Sequence, residues 1–271
     1  MHFLNETELQ NIIAHDGRQD IFVFNDYYIR SSECDMYDLV HTDVLFSLLQ
    51  EAADIGAEKA GISYKIMDRL QCAWVLSRVS LRLQRSPGVK ERVRIYTWQS
   101  GMDRVNFFRD FYLFDADGEA LGAARSSWNV VSINEHKLLA PSAILEGREN
   151  PFLHDFHALA ADPVRVRANF ADFTAAPSLF RLIGFSDIDR NSHVNNTRYI
   201  AMCRDAADNL GLNVPLVSID INYIAELVKG QQAEILSVLL PSDEVATSKV
   251  AICSRSDSGH DYFRALLRFA D

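Results

Sequence analysis

An internal repeat is the feature that most limits what this chain can fold into. Residues 41–62 and 195–212 each begin with polar residues suited to a helix N-terminus, contain the letters AAD, and have a glycine, Gly61 or Gly211, as the last residue but one. Glycine is common just past a helix C-terminus, where the backbone turns left-handed. Each segment also repeats apolar residues with the spacing of an amphipathic helix. These residues are Leu45, Leu48, Leu49, Ala52 and Ile55 in the first segment, and Tyr199, Met202, Cys203, Ala206 and Leu210 in the second.

Alternating strands follow each predicted helix at a matching distance. Residues 79–84 alternate apolar and polar side chains, and residues 219–224 do so 140 positions later. Such alternation is typical of antiparallel strands with one face on a core and the other in water. The turn sequences DADGE at 115–119 and SDSGH at 256–260 predict a hairpin in each copy. Each copy is therefore predicted to be one helix against an antiparallel sheet, which is an α+β unit.

The two copies divide the chain into two domains. Residues 136–175 contain three prolines and show no clear periodicity, which is typical of a connection. We predict an N-terminal domain at residues 1–140, a linker at 141–175 and a C-terminal domain at 176–271. A chain of 271 residues is long enough for two domains of ordinary size.

Composition and charge exclude several classes of function. The net charge of −10 argues against nucleic acid or an anionic membrane as the main partner. No apolar run approaches the roughly 20 residues that span a bilayer. Residues 1–20 have neither the pattern of a secretory signal nor that of a transit peptide. The four cysteines form no CxxC motif, so we predict no metal, no disulfide framework and no cofactor, in a cytoplasmic protein.

Polar side chains concentrate in DIDRNSHVNN, residues 187–196. In an extended strand alternate residues share a face, so Asp189, Asn191 and His193 would line one edge. A polar loop that caps the next helix is the simpler interpretation. The other histidines of the chain, His154 and His157 included, show no ligand spacing that would suggest a metal site.

The first copy of the repeat serves as a control for this segment. At the helix offset of 154 residues, its matching positions hold Asp35, Tyr37 and Leu39. The carboxylate is kept, but the amide and the imidazole are replaced by a phenol and an alkyl chain. A requirement of the repeated fold would apply to both copies, so this difference favours a function. Glu226, at the end of the strand 218–224, is a further candidate because its match in the first copy is a serine.

The chain resembles the acyl-acyl carrier protein (acyl-ACP) thioesterases that terminate fatty-acid synthesis, in their bacterial form. In the N-terminal half the resemblance rests on CAWVLSRVSLRLQRSP, RVRIYTW and RSSWNVVSIN. In the C-terminal half it rests on DIDRNSHVNNTRYI and INYIAELVKG. It implies two tandem hotdog domains, each a long helix wrapped by an antiparallel sheet. It also implies that the acyl chain lies in the N-terminal domain and that the substrate is an acyl-ACP.

The resemblance assigns catalytic roles to Asp189, Asn191, His193 and Glu226. The plant relatives carry a cysteine directly after the matching glutamate, and this chain has Leu227 there. A cysteine nucleophile is therefore excluded at that position. Two mechanisms stay open: His193 activates water with the help of Glu226 or Asp189, or Asp189 itself attacks the thioester and forms an anhydride.

A basic segment offers a hypothesis for carrier docking. Arginines and a lysine follow one another between residues 78 and 94; they are Arg78, Arg82, Arg85, Lys90, Arg92 and Arg94. We expect several of them on the water-facing side of the sheet, where they could attract an acidic carrier protein. A hotdog thioesterase acting on acyl-CoA, a non-catalytic acyl-binding protein and a hotdog dehydratase are the alternatives. Both a monomer and a homodimer are compatible with two domains in one chain.

Overall fold

A computed structural model shows how the two copies are arranged. It describes residues 3–17, 21–135, 137–141, 144, 156–167, 173, 177–242, 248–256 and 259–270. The described helices are α1 (Glu6–Asp16), α2 (Thr42–Lys59), α3 (Tyr64–Arg69) and α4 (Asn196–Asp208). The described strands are β1 (Val23–Tyr28), β2 (Cys72–Leu83), β3 (Arg92–Met102), β4 (Phe107–Phe114), β5 (Ala120–Ser132), β6 (Leu138–Leu139), β7 (Ser178–Leu182), β8 (Leu216–Tyr223), β9 (Gln232–Leu240), β10 (Ser248–Arg255) and β11 (Asp261–Phe269).

The strands of both halves join into one antiparallel sheet. Their order is β1-β3-β4-β5-β2-β8-β11-β10-β9-β7, with β6 beside β5. The halves meet where β2 pairs with β8, and Ser80 there lies directly opposite Asp220. Ser80 and Asp220 are also matching positions of the internal repeat, because the strands of the two copies are offset by 140 residues. A residue that faces its own repeat partner lies on the symmetry axis, so an approximate two-fold axis passes between Ser80 and Asp220.

Helices α2 and α4 pack beside each other against this sheet. Their predicted apolar stripes are confirmed, since Leu45, Leu49 and Ala52 of α2 and Met202, Cys203 and Ala206 of α4 are buried. Burial of a leucine side chain stabilises the fold by roughly 1.5–3 kcal/mol relative to exposure. Gly61 and Gly211 follow the two helices with φ angles of 71° and 80°, as the helix-end prediction requires.

The prediction that one face of the sheet contacts water is wrong for much of the N-terminal half. Every residue of β4 is buried, because α1 and part of the linker cover the outer face. Trp98 stacks on Phe156 of the linker with ring centroids 5.1 Å apart and donates a hydrogen bond from Nε1 to the Phe156 carbonyl. Most of the predicted linker lies outside the described residues, but 156–167 is described, and its Phe156, Ala158 and Leu159 pack here. The outward positions of these strands carry large aromatic side chains, and burying them favours a covered face.

Some arginines of the basic segment are less available to a partner than expected, because they form ion pairs within the chain. Arg82 binds both carboxylate oxygens of Asp220, at 2.8 and 3.0 Å. Arg94 forms ion pairs with Asp26 at 2.7 Å and with Glu6 of α1 at 3.0 Å. Carboxylates of the same chain therefore already neutralise Arg82 and Arg94, and docking of a carrier protein on the basic segment stays a prediction.

Metal and membrane features can be stated for the described part of the chain. No group of three or more histidine, cysteine, aspartate or glutamate side chains lies close enough there to hold a metal ion. None of its helices is both long and apolar enough to cross a membrane. The four cysteines are free thiols. His154, considered above with His157, lies outside the described residues.

Candidate active site

The segment with Asp189, Asn191 and His193 is a tight turn, so the prediction of an extended edge is wrong. The Asp189 N–H donates to the His193 carbonyl at 2.8 Å, and the Ser192 N–H donates to the Asp189 carbonyl at 3.1 Å. Ser192 takes a left-handed φ of 67°. The Asp189 carboxylate closes the turn by accepting the Asn191 N–H through Oδ1 at 2.8 Å. A side chain that bonds its own backbone two residues on favours a turn over a strand, and the three side chains still converge in one loop.

The first copy forms the same turn. The Asp35 N–H donates to the Leu39 carbonyl at 2.8 Å, and Asp35 Oδ1 accepts the Tyr37 N–H at 2.9 Å. Asp38 takes a φ of 60°, matching Ser192. The aspartate shared by the two copies therefore has a structural role in both. What distinguishes the C-terminal copy is its amide and its imidazole.

The imidazole of His193 meets the carboxylate of Glu226. His193 Nε2 lies 3.1 Å from Glu226 Oε2, and both side chains are partly open to solvent. The segment after β8 that carries Glu226 is fixed at Leu227, whose N–H donates to the Tyr199 hydroxyl and whose carbonyl accepts the Val194 N–H. Burial raises the pKa of Tyr199 to about 12, which keeps this phenol neutral at physiological pH. The side chain of Leu227 is fully buried.

A tyrosine of the N-terminal half reaches the same loop. Tyr64, the first residue of α3, donates a hydrogen bond from its hydroxyl to Asn191 Oδ1 at 2.9 Å. The guanidinium of Arg190 lies over the Tyr64 ring, 3.4 Å from its centroid. Tyr64 therefore engages one end of the Asn191 amide and leaves the Nδ2 group as the donor.

A cavity of about 420 Å³ runs from this loop into the N-terminal half. Asp189, Asn191 and Asn195 line its C-terminal side, and α2 and the N-terminal sheet form the remainder. Its aromatic lining consists of Tyr64, Trp74, Phe107, Phe108 and Trp128. His193 and Glu226 are outside this lining. The cavity lies between helix and sheet of the N-terminal half, where the resemblance had placed the acyl chain.

The wall of the cavity also holds buried polar groups. Arg109 of β4 is 5% exposed, and within the described residues its side chain makes one hydrogen bond, from Nη1 to Thr97 Oγ1 at 3.2 Å. Burial lowers the pKa of Arg109 to about 10, so the guanidinium stays charged at neutral pH. Gly56 of α2 packs on this guanidinium, and a side chain at position 56 would overlap it. Gln99 Oε1 is buried beside the cavity with no hydrogen-bond partner in the described part of the chain.

The N-terminus of α4 opens onto the cavity. Asn195 caps this helix by accepting the Thr197 N–H at 2.9 Å, and Asn195 and Asn196 both line the cavity. A helix N-terminus carries partial positive charge and unpaired N–H groups. It is therefore suited to stabilise negative charge on a substrate oxygen.

Two family models match the chain in tandem. The acyl-ACP thioesterase N-terminal domain matches residues 22–142, and the acyl-ACP thioesterase C-terminal domain matches residues 181–270. The chain belongs to the acyl-ACP thioesterase family.

Two curated relatives of this chain are chloroplast proteins. A palmitoyl-ACP thioesterase from Gossypium hirsutum is 27% identical over 198 residues, which cover 70% of this chain and 48% of the relative. Oleoyl-ACP thioesterase 2 from Arabidopsis thaliana is 23% identical over 273 residues, which cover 93% of this chain and 74% of the relative. The match therefore spans about half the length of the first relative.

Solved structures of acyl-ACP thioesterases share the fold. One from Bacteroides thetaiotaomicron has a TM-score of 0.79 at 23% identity, covering 93% of this chain and 99% of that one. The 12:0-ACP thioesterase from Umbellularia californica has a TM-score of 0.82 at 21% identity, covering 95% and 96%. The predicted pair of hotdog domains is confirmed by these structures. The domain limits at residues 140 and 176 stay predictions.

The sequence could not identify every group that lines this site. Tyr64 reaches Asn191 across 127 positions of sequence, and no local pattern marks such a pair. Arg109 lies in the sequence FFRDFYLF, where a charged residue flanked by aromatic residues was a usable signal for a buried polar group. The remaining aromatic and small residues of the lining are indistinguishable from ordinary core positions by sequence; they are Ala53, Ala57, Trp74, Phe107, Phe108 and Trp128.

Proposed function

We propose that this protein hydrolyses the thioester of fatty acyl-ACP, releasing a free fatty acid and so ending fatty-acid synthesis. Membership of the acyl-ACP thioesterase family supports this proposal. The observation that carries it is the group formed by Asn191, His193 and Glu226 beside the mouth of a cavity with aromatic walls. The first copy lacks this group although it folds into the same turn, so the group has no structural necessity.

In this proposal His193 is the general base. Its Nε2 lies 3.1 Å from Glu226 Oε2, and in this scheme the ring proton sits on Nε2, so that Nδ1 takes a proton from water. The water attacks the thioester carbonyl, and the negative charge that develops on oxygen meets the N-terminus of α4 and Asn191 Nδ2. The thiolate leaves readily because thiol pKa values lie near 8.5. A strong general acid is therefore unnecessary.

Asp189 acts in this scheme as a positioning residue. Its Oδ1 accepts the Asn191 N–H at 2.8 Å, and its Oδ2 lies 3.4 Å from Asn191 Nδ2. Asp35 makes the same backbone contact in the copy without catalytic groups. Closing the turn is therefore a sufficient reason for a carboxylate at position 189, and a role as nucleophile is not needed to explain it. In the rival mechanism Asp189 attacks the thioester and forms an anhydride. The Asp189→Asn substitution distinguishes the two mechanisms.

The test is thiol release from a panel of acyl-ACPs with chains from C8 to C18. Wild type should release thiol, and His193→Ala should be slower by about 10²–10⁴-fold, the usual contribution of a general base. Leu39→Ala, at the matching position of the first copy, controls for damage to the fold. The same acyl group on CoA, compared by kcat/KM, separates a carrier-protein enzyme from an acyl-CoA enzyme. Wild type that binds acyl groups without releasing thiol would favour an acyl-binding protein. The cytoplasmic location and the option of a homodimer stay predictions.

A further inference from the structure

A second cavity, of about 430 Å³, lies at the seam between the two halves. Three arginines, Arg78, Arg165 and Arg264, line it together with His260 and a single carboxylate, Asp261. Asn222, opposite Arg78 across the seam, holds its wall in place. Asn222 Oδ1 accepts the Val166 N–H at 2.6 Å, and Nδ2 donates to the Val164 carbonyl at 3.0 Å. This concentration of positive charge stands out on a chain whose net charge is −10.

Carboxylates of the same chain neutralise other arginines near the seam. Arg82 and Arg268 share Asp220, at 2.8 and 3.3 Å. Arg264 lies within the cationic cavity and pairs with Asp261 at 2.5 Å. These three guanidinium groups therefore have little charge left to attract a ligand.

Two cations of this cavity lack such a partner. Within the described part of the chain, the side chains of Arg78 and Arg165 make no ion pair and no hydrogen bond. Asp103 is the carboxylate that Arg78 influences, but the Asp103 oxygens accept the N–H groups of Val105 and Asn106. Arg78 is thus the member of the predicted basic segment whose guanidinium is still available.

The cavity lies close to the proposed catalytic groups. Tyr223 and Ile224 line it, and Glu226 follows Ile224 by two residues, a span of at most about 7 Å. The Tyr223 hydroxyl also donates to the Asn196 carbonyl at 3.2 Å, and Asn196 lines the acyl cavity. An extended arm that delivers a thioester to His193 could therefore place its distal end in the cationic cavity.

We infer that this cavity binds the phosphodiester of the phosphopantetheine arm that carries the acyl thioester, with Arg78 and Arg165 as its donors. Guanidinium groups bind phosphate oxygens through paired N–H donors, and charge-assisted bonds of this kind are strong. Acyl carrier protein and CoA both present the acyl group on such an arm. The inference rests on the proposed thioesterase function and adds the group that anchors the arm.

The test compares one acyl group on three thiols: acyl carrier protein, CoA and N-acetylcysteamine, which has no phosphate. Arg78→Ala and Arg165→Ala should each raise KM for the first two substrates by about tenfold or more and leave kcat unchanged. Neither variant should change the kinetics of the N-acetylcysteamine ester. Arg30→Ala, which removes an exposed arginine outside both cavities and outside the basic segment, should change KM by less than about twofold.

The outcomes separate this inference from the proposed function. Equal losses on all three esters, or a loss confined to acyl carrier protein, would overturn the phosphodiester assignment. Failure of wild type on all three esters would instead overturn the thioesterase. Calorimetric binding of phosphopantetheine against pantetheine then tests the cavity without turnover. Tighter binding of the phosphate form by wild type, lost in Arg78→Ala, supports the inference; equal affinities reject it.

Discussion

The hydroxyl of Tyr64 donates a 2.9 Å hydrogen bond to Asn191 Oδ1, and this bond joins the two halves of the molecule at the proposed active site. Tyr64 belongs to α3, which follows the helix of the first copy, whereas Asn191 belongs to the turn of the second copy. Because Oδ1 accepts this bond, the orientation of the Asn191 amide is fixed, and its Nδ2 group is the end that can donate to a substrate. The orientation of a proposed catalytic amide therefore depends on the half that lacks catalytic groups.

Tyr64→Phe should lower kcat by about 2- to 13-fold and change KM little, since a net hydrogen bond contributes roughly 0.5–1.5 kcal/mol. The phenylalanine ring still supports Arg190, so the stacking contact is kept. The measurement is steady-state kinetics on acyl-ACP. In an Asn191→Ala background the tyrosine substitution should have no further effect. An undiminished effect there would mean that Tyr64 acts independently of Asn191. Tyr37→Phe, in the turn of the first copy, is the matched control.

Asp189→Asn should keep most of the activity, because an amide oxygen can still accept the Asn191 N–H that closes the turn. Asp189→Ala should lose both the turn and the activity, with a decrease of about 1 kcal/mol in the free energy of unfolding. Asp35→Ala should lose similar stability and keep kcat. Kinetics and urea unfolding of the three variants check this. A stable Asp189→Asn variant without turnover would instead favour the carboxylate as nucleophile.

Gly56→Ala should shift the chain-length preference toward shorter acyl groups. Alanine favours the helix by about 1 kcal/mol, but its methyl group would overlap the Arg109 guanidinium. Arg109 can relieve this overlap by moving into the cavity that it lines, which shortens the space for an acyl chain. The C8 to C18 panel measures the shift. In an Arg109→Met background the same substitution should leave the profile unchanged, and an unchanged profile for Gly56→Ala alone would contradict the prediction.

Asp110 should make the protein less stable as pH rises. Burial raises its pKa to about 6, against the opposing effect of Arg125, and an unfolded aspartate titrates near 3.9. Between these values the folded state binds more protons, so the free energy of unfolding falls as pH rises from about 4 to 6, by about 3 kcal/mol at most. Above pH 6 this contribution is constant.

Urea unfolding at pH 4.5 and pH 7 checks the Asp110 prediction. Asp110→Asn should flatten the decline, since its amide oxygen can still accept the Ala158 N–H that Asp110 Oδ1 accepts. Asp162→Asn, the exposed partner of Arg125, should leave the decline in place. An identical pH dependence in wild type and Asp110→Asn would exclude Asp110 as its source.

Local patterns predicted the repeat, both long helices and the candidate residues of the C-terminal turn. The predictions failed where a polar side chain forms a hydrogen bond or an ion pair that its position in the pattern does not reveal. The alternate spacing of Asp189, Asn191 and His193 indicated a strand, but the Asp189 carboxylate bonds its own backbone and makes a turn. Similarly, Arg82 has the spacing of a water-facing strand residue, but it forms an ion pair with Asp220 of the other half. In both cases the deciding partner is a hydrogen-bond acceptor that periodicity does not encode.

The amino-acid pattern alone is enough to predict two copies of one helix-and-sheet unit, and to see that one copy alone carries the amide and the imidazole. Helical and strand periodicities are local properties, and copies can be compared residue by residue. Only the folded chain shows that the cavity of the N-terminal half opens at the turn of the other half, that Tyr64 bonds Asn191, and that Arg78 keeps an available charge. These depend on which distant groups the β2–β8 pairing brings together, and on which carboxylates reach each cation.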